Sequence, residues 1–247
     1  MLVNASPDLR QQILATPALH PRQGSRDTPV SAVVLTNGDV DHVAGLLTLR
    51  ERQAFALHAS PQLHAMLEAD PVFAVLDRDL VHRHTMALDG TNDIAGLAIT
   101  PFAVPGKVPL FLESEEVEIG RETEMTIGLD IRANGRRIVH IPGCAVVTPA
   151  VRDRVAGADL LLFDGTTFTD DEMPRLGLSP KTATRMGHVA MSGPSGSLDA
   201  LAGTDVRQKF YIHINNTNPV LVDGSPERGI VEAAGWRIAH DGLEIAL

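Results

Sequence analysis

The chain has one cysteine, Cys144, among 247 residues. That excludes an intrachain disulfide and a thiolate zinc cluster, both of which need several thiols. Any bound metal must therefore be held by histidine and carboxylate. Basic residues are also scarce: 21 Lys and Arg stand against 31 Asp and Glu, a formal net charge of -10. A broad nucleic-acid surface needs clustered cations, so no nucleic-acid partner is expected, nor an anionic membrane surface. No apolar run approaches the roughly 20 residues that span a bilayer. The amino terminus, MLVNASPDLRQQ, lacks the basic-then-apolar pattern of a signal peptide, so the expected location is cytoplasmic.

What is present is ordinary globular composition, 44% hydrophobic and 21% charged, together with 10 histidines. Short apolar stretches predict strands at VSAVVLT (30–36), FALHA (55–59), GLAITPFAV (96–104), EMTIGLDIRA (124–133), RRIVHI (136–141), DLLLFDG (159–165) and KFYIHI (209–214). Asn134-Gly135 between two of them is a two-residue hairpin signal. Ser60-Pro61 and Ser225-Pro226 each place a capping serine before a proline suited to the first helical turn. Further helices are predicted in AVVTPAVRDRVAG, TATRMG and SLDALAG. Hairpins early and in the middle, with helices after strands, predict a layered α/β protein with mixed sheets.

Polar residues recur just past these strands. Asp41 and His42 follow VSAVVLT, Asp164 closes DLLLFD, His213 sits near the end of KFYIHINN, and His188 follows Gly187 before a helix. Ligand sites of α/β proteins gather outside the carboxyl ends of strands. Taken singly, His213 reads as a core histidine and Asp164 as a turn cap. Together, four polar residues at one structural address form a candidate site. His58, His64, His82 and His84 read as surface or packing residues.

The run T-N-G-D-V-D-H, followed by D-G-T-T-F, G-H-V and I-H-I, resembles the metallo-β-lactamase superfamily, whose signature is T-H-x-H-x-D-H with a later Asp, Gly-His and His. More narrowly, NASPDLRQQ, RMGHVAMSGPSGS, IHINNTNPVL and SPERGIVEAAGW resemble the coenzyme PQQ synthesis protein B family, and the likeness runs from Leu2 to the carboxyl end. The resemblance implies an αββα sandwich. That family normally opens with a glycine-rich strand and a cysteine-rich zinc segment. The expectation is therefore one domain over residues 1–247, amino-terminally shortened and without its first strand or strands.

Carried over position by position, the two histidines of the first metal site fall on Asn37 and Asp39, and its third falls near Gly106. The second site falls on Asp41, His42 and His213, with Asp164 as the bridging carboxylate. The resemblance thus implies one surviving metal site. Two imidazoles and a carboxylate with open positions suit Fe(II) oxygenases, and zinc would suit hydrolysis with the same ligands. The family resemblance favours Fe(II), and with it O2-dependent hydroxylation of the tyrosine ring of a Glu-Tyr derived precursor in pyrroloquinoline quinone (PQQ) biosynthesis. A zinc hydrolase, or binding and transport of PQQ or its precursor without catalysis, are the alternatives. His188 and Asp164 are the expected catalytic residues. Lys107, Lys181, Arg185, Asn215 and Asn216 are the expected contacts to a carboxylate-bearing precursor. Other PQQ pathway proteins and a second copy of the chain are possible partners.

Overall fold

In a computed structural model of the protein, residues 1–24, 27–113 and 118–247 are described. The first half contains β1 (Leu2–Val3), α1 (Leu9–Ala15), β2 (Ala32–Val34), α2 (Val40–Val43), β3 (Phe55–Ala59), α3 (Pro61–Ala69) and β4 (Val81–Thr85). Its four strands pair in sequence order, and every pair is parallel. Parallel neighbours cannot be joined by a tight turn and need a crossover. The early hairpin expected from sequence is therefore absent, and helical segments make the returns. Ser60 caps α3 as expected, its hydroxyl accepting from the Leu63 amide.

The second half begins with an antiparallel run, β5 (Asn92–Ile94), β6 (Leu97–Gly106), β7 (Arg121–Ala133) and β8 (Arg136–Ile141). Asn134 and Gly135 both have positive φ, 51° and 73°, which is what a type I′ turn between β7 and β8 demands. The chain then alternates through α4 (Pro149–Val155), β9 (Leu160–Asp164), α5 (Glu172–Arg175), α6 (Ala183–Met186), α7 (Ser197–Ala200), β10 (Gln208–Ile212), α8 (Pro226–Ala233) and β11 (Trp236–Ile238). The resulting seven-stranded sheet, ordered β11-β10-β9-β8-β7-β6-β5, is antiparallel at one end and parallel at the other. Four strands escaped the sequence reading: β1, β4, β5 and β11. They are short or carry polar residues, as VHRHT does in β4, so no apolar run marks them.

Three apolar layers hold these sheets. Ala32, Val34, Ile99, Ile127, Leu129 and Ile131 pack between the two sheets. Leu57 meets Leu63 and Leu67 of α3 on one outer face. Val139, Ile141, Leu161 and Phe163 meet Val151, Val155 and Val231 on the other. This is the αββα sandwich. Each fully buried leucine, Leu63 for example, contributes about 1.5–3 kcal/mol of apolar transfer.

Two tertiary links place the site. Parallel pairing sets Ile212 of β10 opposite Asp164 of β9, so the residue after β10 emerges beside Asp164. The end of β2 is tied to the other sheet, because the Ile127 amide donates to the Thr36 carbonyl at 2.8 Å and Asn37 bridges to Thr126. The loop after β2 is thereby brought against the ends of β9 and β10.

Candidate metal centre

Asp41, His42 and His213 converge although 172 residues separate the first from the last. His213 Nε2 lies 2.8 Å from Asp41 Oδ2, and His42 Nδ1 lies 3.0 Å from Asp41 Oδ1. The two imidazoles are 4.8 Å apart between ring centres. Ligands at 2.0–2.3 Å from one ion stand about 3–4.5 Å from each other. One ligand atom from each of these three residues lies within 4.8 Å of the other two, so the set fits a single ion with little movement. Asp41 is half exposed while His42 is buried, which leaves the open coordination side facing a cavity of about 380 Å³.

His213 is not the strand residue that its sequence context predicts. β10 ends at Ile212, and His213 adopts φ +52°, a left-handed conformation uncommon outside glycine although histidine takes it more readily than most side chains. Such backbone outliers collect at functional sites, where neighbours over-determine them. Here Thr166 Oγ1 lies 2.9 Å from His213 Nδ1 and accepts from it, while the single hydroxyl proton goes to Asp164 Oδ1 at 2.7 Å. The turn aims Nε2 at Asp41 instead of burying the ring in the core.

Asp164 is completely buried, and its two oxygens are fully subscribed. Oδ1 accepts from the Thr166 amide at 3.1 Å and the Thr166 hydroxyl at 2.7 Å. Oδ2 accepts from the Cys144 amide at 2.9 Å and from His188 Nδ1 at 2.7 Å. A carboxylate offers about four acceptor sites, and all four are used. Asp164, His188 and His213 also come within ligating distance of one another. With its lone pairs spent on protein donors, however, Asp164 acts in this arrangement as the group that orients His188 and, through Thr166, His213. The bridging role carried over from the superfamily signature would require breaking two of those bonds.

The local charges follow from this geometry. Burial raises the Asp164 carboxyl, but His188 and His213 beside it outweigh that and hold it well below the usual carboxylate range. Asp41 is likewise raised by burial and more strongly lowered by His213 and His42. Burial disfavours charge on His213, yet the neighbouring carboxylates, Asp164 at 3.7 Å and Asp41 bonded at 2.8 Å, push it up to about 10. The metal-free site therefore keeps a proton on His213 at neutral pH, in the place an ion would take. His42 is held neutral by burial, against the pull of Asp41.

Where the resemblance puts the third histidine of the superfamily's first ion, there is no room for a side chain. A Cβ built on Gly106 would overlap Oγ1 and Cβ of Thr126, so no side chain can stand there without displacing a β-branched neighbour. Asn37 is buried and its Oδ1 accepts from the Asp39 amide at 3.0 Å. A Cβ on Gly143 would lie 3.8 Å from both Asn37 Nδ2 and His188 Cε1, which places these groups around one small space. Asp39 is on the wall of the open cavity.

That cavity is also lined by Val40, Lys107, Leu110, Phe111, Lys181, Met186 and His188. Asn215 and Asn216 are not among its walls. The Asn215 amide donates to Thr217 Oγ1 at 2.8 Å, and Asn216 is exposed, so neither lines the cavity. Lys107, Lys181 and Arg185 converge on one carboxylate, Glu113. Sequence reasoning missed Glu113, because nothing in VPLFLES marks it. It also missed His140, which alternation in β8 turns toward the space between the sheets, near His42 and His213. Burial and those two histidines push His140 down to about 3, and its Nδ1 has no hydrogen-bond partner among the described residues. The signal for Thr166 was legible in D-G-T-T-F.

Residues 1–214 match the family model described as a beta-lactamase superfamily domain. Coenzyme PQQ synthesis protein B of Methylobacterium nodulans is 58% identical over 248 residues, covering 100% of this chain and 83% of that protein. The crystal structure of Zn2+-bound PqqB from Methylobacterium extorquens superimposes with a TM-score of 0.97 at 55% identity, again over 100% of this chain and 83% of the other. Among the described residues no helix is long and apolar enough to cross a membrane. With this likeness over its whole length and the αββα frame around the Asp41–His42–His213 cluster, the chain belongs to the coenzyme PQQ synthesis protein B family of the β-lactamase superfamily.

Proposed function

We propose that this chain performs an O2-dependent hydroxylation of the tyrosine-derived ring of a Glu-Tyr precursor in PQQ biosynthesis, with Fe(II) held by Asp41, His42 and His213. The observation that supports it best is the pairing of an open two-histidine, one-carboxylate set with a neighbouring position, Gly106, where Thr126 leaves no room for the histidine that the first ion would need. Two-ion hydrolysis needs both sites. Bound iron would supply O2 reduction and a place for a phenolic oxygen.

The remaining roles belong to the chain's own side chains. Val40, Leu110, Phe111 and Met186 give the cavity apolar walls suited to an aromatic ring. His188 spends Nδ1 on Asp164, which leaves Nε2 as the atom able to exchange a proton with a substrate oxygen. Asp164 fixes the imidazole's orientation, as buried carboxylates do for catalytic and metal-bound histidines. A zinc-dependent hydrolase is the second reading. It is favoured by the zinc in the Methylobacterium extorquens relative, since the same residues would hold that ion.

The test loads the protein anaerobically with Fe(II) and turns it over on a Glu-Tyr cross-linked substrate under ¹⁸O2 with ascorbate, which supplies the two electrons that reduce the second oxygen atom to water. The expected result is about one iron per chain and one ¹⁸O per hydroxylation. His42→Ala should lose iron and turnover together, and His188→Ala should keep iron and lose rate. Oxygen arriving from water instead of O2 overturns the reading in favour of hydrolysis.

A further inference from the structure

Three cations close on one carboxylate beside the same cavity: Lys107, Lys181 and Glu113 line it, and Arg185 reaches it only through Glu113. Glu113 Oε1 lies 3.1 Å from Lys107 Nζ, while its Oε2 lies 3.3 Å from Lys181 Nζ and 3.1 Å from an Arg185 Nη. The group carries two more positive charges than its carboxylate neutralises, in a chain whose net charge is -10. It is built rather than incidental. The Lys107 and Glu113 side chains are only 10% and 9% exposed. The stem of Lys107 lies across Gly187, where a Cβ would come within 2.8 Å of its Cγ, so the glycine before His188 makes room for it. The second guanidinium nitrogen of Arg185, Nη1, is buried and without a hydrogen-bond partner among the described residues.

The turn that carries this anion is lightly packed. Glu113 ends a single 3₁₀ turn, Leu110–Leu112, whose three apolar side chains are 61%, 47% and 47% exposed. Burying such side chains elsewhere would favour movement of the turn, and little apolar packing resists it. Burial raises the Glu113 carboxyl, but Arg185, Lys107 and Lys181 override it and hold it down to about 2, so it is an anion at every working pH.

We propose that Lys107, Lys181 and Arg185 form a subsite for two neighbouring carboxylates of a small aromatic substrate, and that Glu113 occupies it until the substrate displaces it. The proposal rests on the reading of the cavity as the substrate site and names what the substrate must carry. Arginine offers a planar fork that matches a carboxylate, and each lysine adds a point charge. A cavity of about 380 Å³ admits a small molecule and not a folded partner. An internal carboxylate that must leave lowers apparent affinity by the fraction of time the subsite is free, and it disfavours ligands with a single carboxylate, which only exchange like for like with a tethered competitor and leave the two surplus positive charges unmet.

The test is direct binding to the metal-free full chain, by calorimetry, of 5-hydroxyisophthalate, a phenol with two carboxylates. Its diamide and 3-hydroxybenzoate serve as comparison ligands. The wild type should bind the dicarboxylate, weakly, and bind neither comparison ligand. Glu113→Gln should bind it roughly tenfold tighter, as expected when a competing anion is removed. Arg185→Met and Lys181→Met, both at partly exposed positions, should each weaken it by about tenfold. Equal or weaker binding by a folded Glu113→Gln would make Glu113 an organiser of the cations and overturn the displacement. Binding that ignores Arg185→Met and Lys181→Met would overturn the subsite. Because no metal is present and no turnover is read, failure here leaves the iron and ¹⁸O2 result unaffected, and failure there leaves this one unaffected.

Discussion

Replacing Asp164 by asparagine separates an orienting carboxylate from a metal ligand. The side chains have the same shape, but an amide can accept only on one edge. The other edge would face either the Cys144 amide and His188 Nδ1 or the Thr166 amide and hydroxyl, donors that now sit 2.7–3.1 Å away. Two hydrogen bonds to a charged acceptor are lost, about 1.5–3 kcal/mol each. Relief from burying a charge offsets part of this, leaving a net destabilisation of about 2–4 kcal/mol. For a chain of this size 1 kcal/mol moves Tm by about 2–4 °C, so the metal-free variant should melt roughly 5–15 °C below the metal-free wild type. Calorimetry in EDTA reads the shift, and metal analysis after reloading should still find one ion per chain, because Asp41, His42 and His213 are intact. A variant that melts with the wild type but no longer takes up metal would refute this account and restore Asp164 as a ligand.

Gly106→Ala forces a methyl into Thr126 and should destabilise the chain by about 1–3 kcal/mol, seen as a lower urea midpoint with unchanged slope. An unshifted midpoint would mean that the space around Thr126 is not closed. The metal-free protein should be most stable near pH 6.5. The folded pKa of His213, about 10, lies above its ordinary value of 6.5, so its contribution is complete below 6.5 and is lost as pH rises toward 10. On the acid side, His140 and His42 are held neutral by burial and must charge below 6.5. Asp41 and Asp164, both depressed, lose their contribution as they protonate below about 3.8. Urea midpoints in EDTA should fall from pH 7 to pH 9 in the wild type and stay level in His213→Gln; a level wild type would contradict the raised His213.

Much of this was written in local sequence, and the rest depended on distant chain meeting distant chain. FALHA and RRIVHI were legible to the residue because alternation and apolar runs act over a few positions. The turn at Asn134-Gly135 and the caps at Ser60 and Ser225 were legible for the same reason, since each is settled by one or two side chains. The candidates Asp41, His42, Asp164, His188 and His213 were legible as residues at strand ends. Their partnership was not, because hydrogen bonding across 172 residues follows from the parallel β9–β10 register and from the tie between Thr36 and Ile127. The left-handed turn at His213 depends on Thr166, 47 residues earlier. The same limit explains Asn215, which looked free beside His213 and is engaged by Thr217. It also explains Glu113, whose meaning comes entirely from three cations brought to it by other parts of the chain. Residue chemistry and local periodicity belong to the sequence; saturation of Asp164, closure of the space at Gly106 and the charge on His213 arise only where the two sheets meet, because burial and register are properties of the packed chain.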